Sequence, residues 1–129
     1  MKFAKVVFWA AGIWGLLVFM ALYFMFEAIG KKDPPPINHP GFYYGFVGVG
    51  LAWQIAFLFI AQDPRRFRPM MIPSMVEKFS YAITVCTLVV QRRMHHSDLL
   101  FAGTDLLLGG LFVMAYAATA GKGREAGSL

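Results

Sequence analysis

Four apolar stretches, roughly Val6 to Ile29, Gly41 to Ala61, Pro73 to Val90 and Leu99 to Ala120, take up most of this chain. A bilayer core about 30 Å thick needs about 17–25 apolar residues of helix, so each stretch is long enough to cross it. Lipid offers no hydrogen bonds, and the helix is the way a single segment satisfies its own backbone there. The pattern therefore predicts an all-α polytopic membrane protein, an antiparallel four-helix transmembrane bundle over residues 1–120. A polar, flexible tail is expected over 121–129. A soluble bundle is disfavoured because 58% of the residues are hydrophobic, against roughly half in soluble domains. Between Gly45 and Ile60 the one clearly polar side chain is Gln54, where a water-facing helix would present polar groups at every turn.

The net charge of +5 acquires meaning from its distribution. With four spans, Lys2, Lys5, Arg65, Arg66, Arg68, Lys78, Lys122 and Arg124 fall at one membrane side and Lys31, Lys32, Arg92 and Arg93 at the other. Eight cations against four place both termini and the Asp63–Pro73 loop in the cytoplasm, by the positive-inside rule, in the cell (inner) membrane. The excess suits anionic lipid, and nucleic acid is not an expected partner. Lys2 and Lys5 resemble the start of a signal peptide, but the following apolar run exceeds the roughly 7–15 residues of such segments, so a retained first helix is expected. Cys86 is the single cysteine, which excludes an internal disulfide.

Breakers mark the expected helix ends. Gly30 and Pro34-Pro35-Pro36 stop the first helix. Asn38-His39-Pro40 opens the second with proline in its first turn, Asp63-Pro64 ends it, and Ser97-Asp98 caps the fourth. Arg65, Arg66 and Arg68 are placed at the headgroups. Gly41, Gly45, Gly48, Ala52 and Ala56 recur every three or four residues, a small-residue stripe of the kind that lets membrane helices pack closely. Glu77, Ser80, Thr84, Thr87 and Gln91 form a polar stripe on the third helix, expected to face the bundle interior.

Carboxylates in the apolar stretches are the candidate functional groups, because a charge at mid-bilayer costs about 2.5–3.5 kcal/mol even on insertion scales. Asp105 is the foremost: a proton carrier, a counter-ion for a cationic ligand or an acid/base group, or else a hydrogen bond fixing helix register, with Thr87 or Gln91 its expected donor. Glu27 reads as a solvated carboxylate near a helix end. Ser74-Met75-Val76-Glu77 reads as a capping box, and Lys78 as a partner for a neighbouring acid or lipid phosphate. The expected ligand pocket between helices is lined by Asp105 and the Glu77, Ser80, Thr84, Thr87 and Gln91 stripe, with Trp53, Gln54, Tyr116 and Glu27 as further candidate ligand-binding residues. His39, His95 and His96 occupy loops without a complete ligand set, so neither metal nor other cofactor is expected.

His39-Pro40-Gly41-Phe42-Tyr43-Tyr44-Gly45-Phe46, Ala52-Trp53-Gln54, Asp63-Pro64 and Arg68-Pro69-Met70-Met71-Ile72-Pro73 resemble the pattern of an uncharacterised bacterial family of short four-span proteins, which implies a layout and no activity. Trp53-Gln54 with Phe57, then Arg68, Pro73 and Tyr81, is distantly similar to the EXPERA group of emopamil-binding isomerases and sigma-2-type receptors. That likeness implies intramembrane acids around a pocket for sterols or hydrophobic amines. The chain departs from it in lacking an acid just before Trp53 and a histidine in the third span, groups on which isomerase activity would rest. Three functions follow as expectations: binding of a lipid or small apolar ligand between helices, service as an accessory or assembly subunit of a membrane complex, or proton-coupled transport as a homo-oligomer.

Overall fold

The computed structural model describes residues 2–32, 35–94 and 96–127. The described residues are all-α: α1 (Lys2–Leu22), α2 (Phe26–Lys32), α3 (Pro40–Gln62), α4 (Met71–Val90) and α5 (Leu99–Gly127), with single 3₁₀ turns at Arg68–Met70 and His96–Asp98. Among them α1, α3 and α5 up to Ala120 are long and apolar enough to cross a membrane. Large side chains such as Leu17, Phe42, Ile83 and Leu107 point outward, as the outer surface of a lipid-embedded bundle requires.

The expected first span, Val6 to Ile29, is corrected to Lys2–Leu22. A turn at Tyr23–Phe24 ends α1, and the short α2 then carries Glu27 in its first turn and Lys31 and Lys32 in its last, an order that complements the helix dipole. No proline or glycine marks this break. It is made by a tertiary contact: Tyr43 Oη on α3 donates to the Leu22 carbonyl at 2.6 Å, satisfying a helix-end acceptor. Tyr23, Phe26, Tyr43 and Tyr44 stack around the turn, with centroids 5.1–6.2 Å apart. Gly30 lies inside α2, where its bare Cα allows Pro36 and Ile37 to approach.

The main helix contacts are α1 with α3 and α4 with α5, and α1 against α5 joins the two pairs. Small residues set the first interface. Gly12 receives Leu58, Gly15 receives Gln54 and Gly50 receives the Phe19 ring, each so closely that a Cβ would collide. The stripe expected to do this, Gly41, Gly45, Gly48, Ala52 and Ala56, is corrected: a Cβ on Gly41 or Gly45 meets nothing, Gly48 only brushes Tyr23 Oη at 3.5 Å, and Ala52 is exposed. Regular spacing identified a face of α3, but the glycines used on the neighbouring face lie in both helices.

Phe8, Phe57 and Phe112, all fully buried, bring α1, α3 and α5 together. Phe8 stacks on Phe112 at 4.2 Å, and Phe57 meets Phe112 edge-on at 5.0 Å. With Ala4, Ala11, Ile60, Met71 and Ala115 they form a core at the end of the bundle that holds the chain's N-terminus. A smaller cluster of Ala82, Val85, Val89 and Ala102 joins α4 to α5 at the other end.

The start of α4 also differs from expectation. The 3₁₀ turn through Pro69 leads directly into Met71, so Ser74 sits a turn inside the helix, and its hydroxyl donates to the Met70 carbonyl at 2.7 Å. The expected capping box is not formed, which leaves the Glu77 side chain available for other contacts. At its far end α4 closes with Arg93 N–H donating to Leu88 O at 2.8 Å and Arg92 N–H to Val89 O at 3.0 Å, the paired bonds of a Schellman cap. Arg92 takes the left-handed conformation there, φ 60°, a position glycine usually holds. The backbone of α5 continues as helix to Gly127, past the end of its apolar stretch.

Candidate functional site

Among the described residues Lys78 is the buried charged side chain. Its position on α4 belongs to the inward set Met71, Ser74, Lys78, Ala82, Val85 and Val89, so the helix period carries it into the interior. Only 3% of the residue is exposed. Its Nζ lies 3.5 Å from Asp105 Oδ1 on α5 and 3.7 Å from Glu77 Oε2 on its own helix. On another side it stands 5.2 Å from the centre of the Phe57 ring, close enough for the ring face to attract the ammonium. The cluster thus sits directly over the aromatic core.

The arrangement has two chemical features. One ammonium faces two carboxylates, so with all three ionised the site carries an excess negative charge. Both separations also exceed the 2.7–2.9 Å of a charge-assisted hydrogen bond, so neither acid holds the lysine tightly. Glu77 Oε2 is shielded from solvent and accepts no hydrogen bond, while the two acidic side chains keep 19% and 18% exposure. Buried acceptors are almost always satisfied. This site offers an unused acceptor and partial access from outside the bundle.

The Asp105 donor expected on the third apolar helix is on that helix, but it is Lys78 and not Thr87 or Gln91. A lysine stem reaches across about a turn, which spacing by depth did not take into account. Thr84, Thr87, Gln91 and Ser80 are exposed, so the polar stripe lies on the outer face of α4 and does not line the bundle interior. Two of its hydroxyls turn back on the helix: Ser80 Oγ donates to Glu77 O at 3.2 Å and Thr87 Oγ1 to Ile83 O at 2.8 Å. Such back-bonding satisfies a hydroxyl without a partner helix, which is why the interior was not needed.

The other expected residues are dispersed. Gln54 is fully buried against Gly15, its amide donating to Gly50 O at 2.9 Å and its Oε1 unpartnered. Trp53 packs on the edge of the core, and Glu27 is exposed on α2. Tyr116 serves a second cation: the Arg68 guanidinium stacks 3.6 Å above its ring and donates through Nε to Tyr116 O and Thr119 Oγ1, both at 3.1 Å. Arg68 thereby fastens the turn before α4 to the end of α5. Lys78 was expected to pair with a neighbouring acid, and it does, but its place beside Asp105 and the clamp made by Arg68 were not foreseen. The available signal was that a lysine inside an apolar helix must find partners or reach the interface.

His39 is at the start of α3, edge-on to Phe42 at 5.6 Å, and His95 lies outside the described residues. Among the described residues no three His, Cys, Asp or Glu side chains are grouped for a metal. The chain matches no protein-family model, no curated protein and no solved structure.

Proposed function

We propose that this is a four-span membrane protein that binds a lipophilic molecule with a cationic or hydrogen-bond-donating head, received by Asp105 and Glu77 beside Lys78. The observation that carries the reading is Glu77 Oε2, shielded from solvent and accepting no hydrogen bond, with Lys78 Nζ no nearer than 3.7 Å, in a cluster of two acids and one base. A ligand ammonium entering from the lipid side would give that oxygen a donor and balance the charge, while its chain lay on the apolar surface of α4 and α5. The distant EXPERA likeness, with its hydrophobic-amine ligands, points the same way and remains part of the proposal.

The test uses the full chain in detergent, with dodecylamine and 1-dodecanol as matched probes. Dodecylamine should raise the melting temperature, with stabilisation of about 2.7 kcal/mol when free probe is a hundredfold above its Kd. Dodecanol should do much less, and Asp105→Asn or Glu77→Gln should remove the difference. Equal shifts from amine and alcohol, or an amine shift that survives Asp105→Asn, would reject the reading.

A second reading, an accessory subunit, is favoured by the outward Ser80, Thr84, Thr87 and Gln91, since a polar membrane-helix face commonly meets another helix. Native mass spectrometry in gentle detergent separates the two: a partner at fixed stoichiometry supports the second, a monomer with retained lipophile the first.

The fourth span rests on packing. α4 has 20 residues, about 30 Å of helix, and it lies antiparallel along α5 from Arg68–Tyr116 through Lys78–Asp105 to the Val89–Ala102 cluster. If α5 crosses, α4 occupies the same slab. Lys78 is buried and drops out of the topology count, leaving seven cations against four, still favouring cytoplasmic termini in the inner membrane. Reporters fused after Lys32, Arg66, Arg93 and Leu129 should read outside, inside, outside, inside; a C-terminal reporter on the outside would exclude this arrangement.

A further inference from the structure

A second site lies at the opposite side of the core from the ion-pair cluster, where α1 begins and α3 ends. Lys5, Gln62, Asp63, Pro64 and Arg65 line a surface depression of about 290 Å³ there. Two cations from separate chain segments, Lys5 and Arg65, meet there, and each has a second cation near it in the chain, Lys2 one turn before Lys5 on α1 and Arg66 next to Arg65 in the loop. Lys2, Lys5, Arg65 and Arg66 are all exposed. None of them makes an ion pair among the described residues. The single acid present, Asp63, uses Oδ1 to accept the Arg66 backbone N–H at 3.4 Å, which holds the turn that presents both arginines.

The surroundings identify the kind of anion. Trp9 follows Lys5 by four residues, hence on the same face of α1, and is 54% exposed; Phe59, one turn before Asp63 on α3, is 56% exposed. Tryptophan settles at the headgroup level, with lysine stems lying along apolar surface and their charges outward, and Phe59 adds apolar surface beside it. The cations thus sit at the rim of two membrane-crossing helices, with apolar surface continuing from them toward mid-bilayer. A free anion would use the cations and leave that surface idle, whereas a phospholipid would use both.

We infer that the depression between the start of α1 and the α3–α4 loop binds the headgroup phosphate of an anionic phospholipid, with Lys5 and Arg65 as its ligands and Lys2 and Arg66 adding to the local field. This inference is independent of the reading of Asp105 and Glu77, which line a different part of the bundle.

The experiment is native mass spectrometry of the full chain in detergent, titrated with phosphatidylglycerol or phosphatidylcholine. Phosphatidylglycerol should be retained in preference. The double variant Lys5→Gln/Arg65→Gln should weaken it about 25-fold, on the basis of roughly fivefold per cation near a lipid phosphate. Lys31→Gln/Lys32→Gln removes the same charge at the other end of the bundle and should leave retention unchanged, as should the charge-preserving pair Lys5→Arg/Arg65→Lys. Equal losses in the two Gln pairs, or equal retention of the two lipids, would overturn the site in favour of nonspecific attraction. Inorganic phosphate binding with the same dependence on Lys5 and Arg65, with no preference for phosphatidylglycerol, would overturn the lipid assignment. Circular dichroism melts of the double variant should match the parent, since both side chains are exposed and unpaired.

Discussion

Lys78→Met should lower the unfolding free energy of the bundle by about 3 kcal/mol, and adding Asp105→Asn and Glu77→Gln should restore most of it. Removing one member of a buried ion pair costs about 3–5 kcal/mol because the remaining charge is left without compensation. Here the single variant leaves two carboxylates, Glu77 and Asp105, without the one cation that lay within 3.7 Å of both. Methionine matches the lysine stem in length and fills the same apolar channel, so the loss reads electrostatics and not a cavity. Neutral amides at 77 and 105 remove the repulsion, which is why the triple variant should approach the parent. Reversible denaturation in mixed micelles, followed by helical circular dichroism, measures all three. A triple variant as unstable as Lys78→Met would show that packing around the lysine, and not its charge, holds α4 to α5.

Gly15→Leu should prevent α1 from seating on α3, whereas Gly45→Leu should be nearly silent. At Gly15 even a Cβ would overlap the Gln54 side chain, which is fully enclosed and has no room to turn aside. Overpacking of this kind costs about 1–3 kcal/mol for added methylenes in a filled core, and a whole leucine side chain belongs at or above the upper end. At Gly45 an added Cβ finds no atom within 4 Å, so the new side chain extends outward. The same denaturation assay reads both. Comparable losses in the two variants would mean that the regular glycine stripe of α3, and not the Gly12–Gly15–Gly50 set, forms a packed interface.

The helical membrane character of this protein was legible in the residues, because hydrocarbon imposes a length and a composition that any spanning helix must meet. Pro40 in the first turn of α3 and the stop at Asp63-Pro64 were legible for the same kind of reason, since proline acts on its own backbone. Asp105 as an interior acid with a partner on the neighbouring helix was legible from the desolvation cost of its charge. The identity of that partner was not. Thr87 and Gln91 matched in depth, but Lys78 reached further along the helix than its Cα position indicates. The polar stripe was read inward because hydroxyls avoid lipid, yet back-bonds to Glu77 and Ile83 carbonyls met their needs locally. The break after Leu22 had no local signal at all: the Tyr43 hydroxyl that ends α1 comes from 21 residues away. What the residues determined by themselves, then, was each segment's response to its solvent, helix against water or lipid, because that response depends on local composition and backbone chemistry. Which face of α3 meets α1, where α1 stops and which cation stands between Glu77 and Asp105 were decided in the tertiary structure, because each depends on the shape and reach of a side chain supplied by another helix.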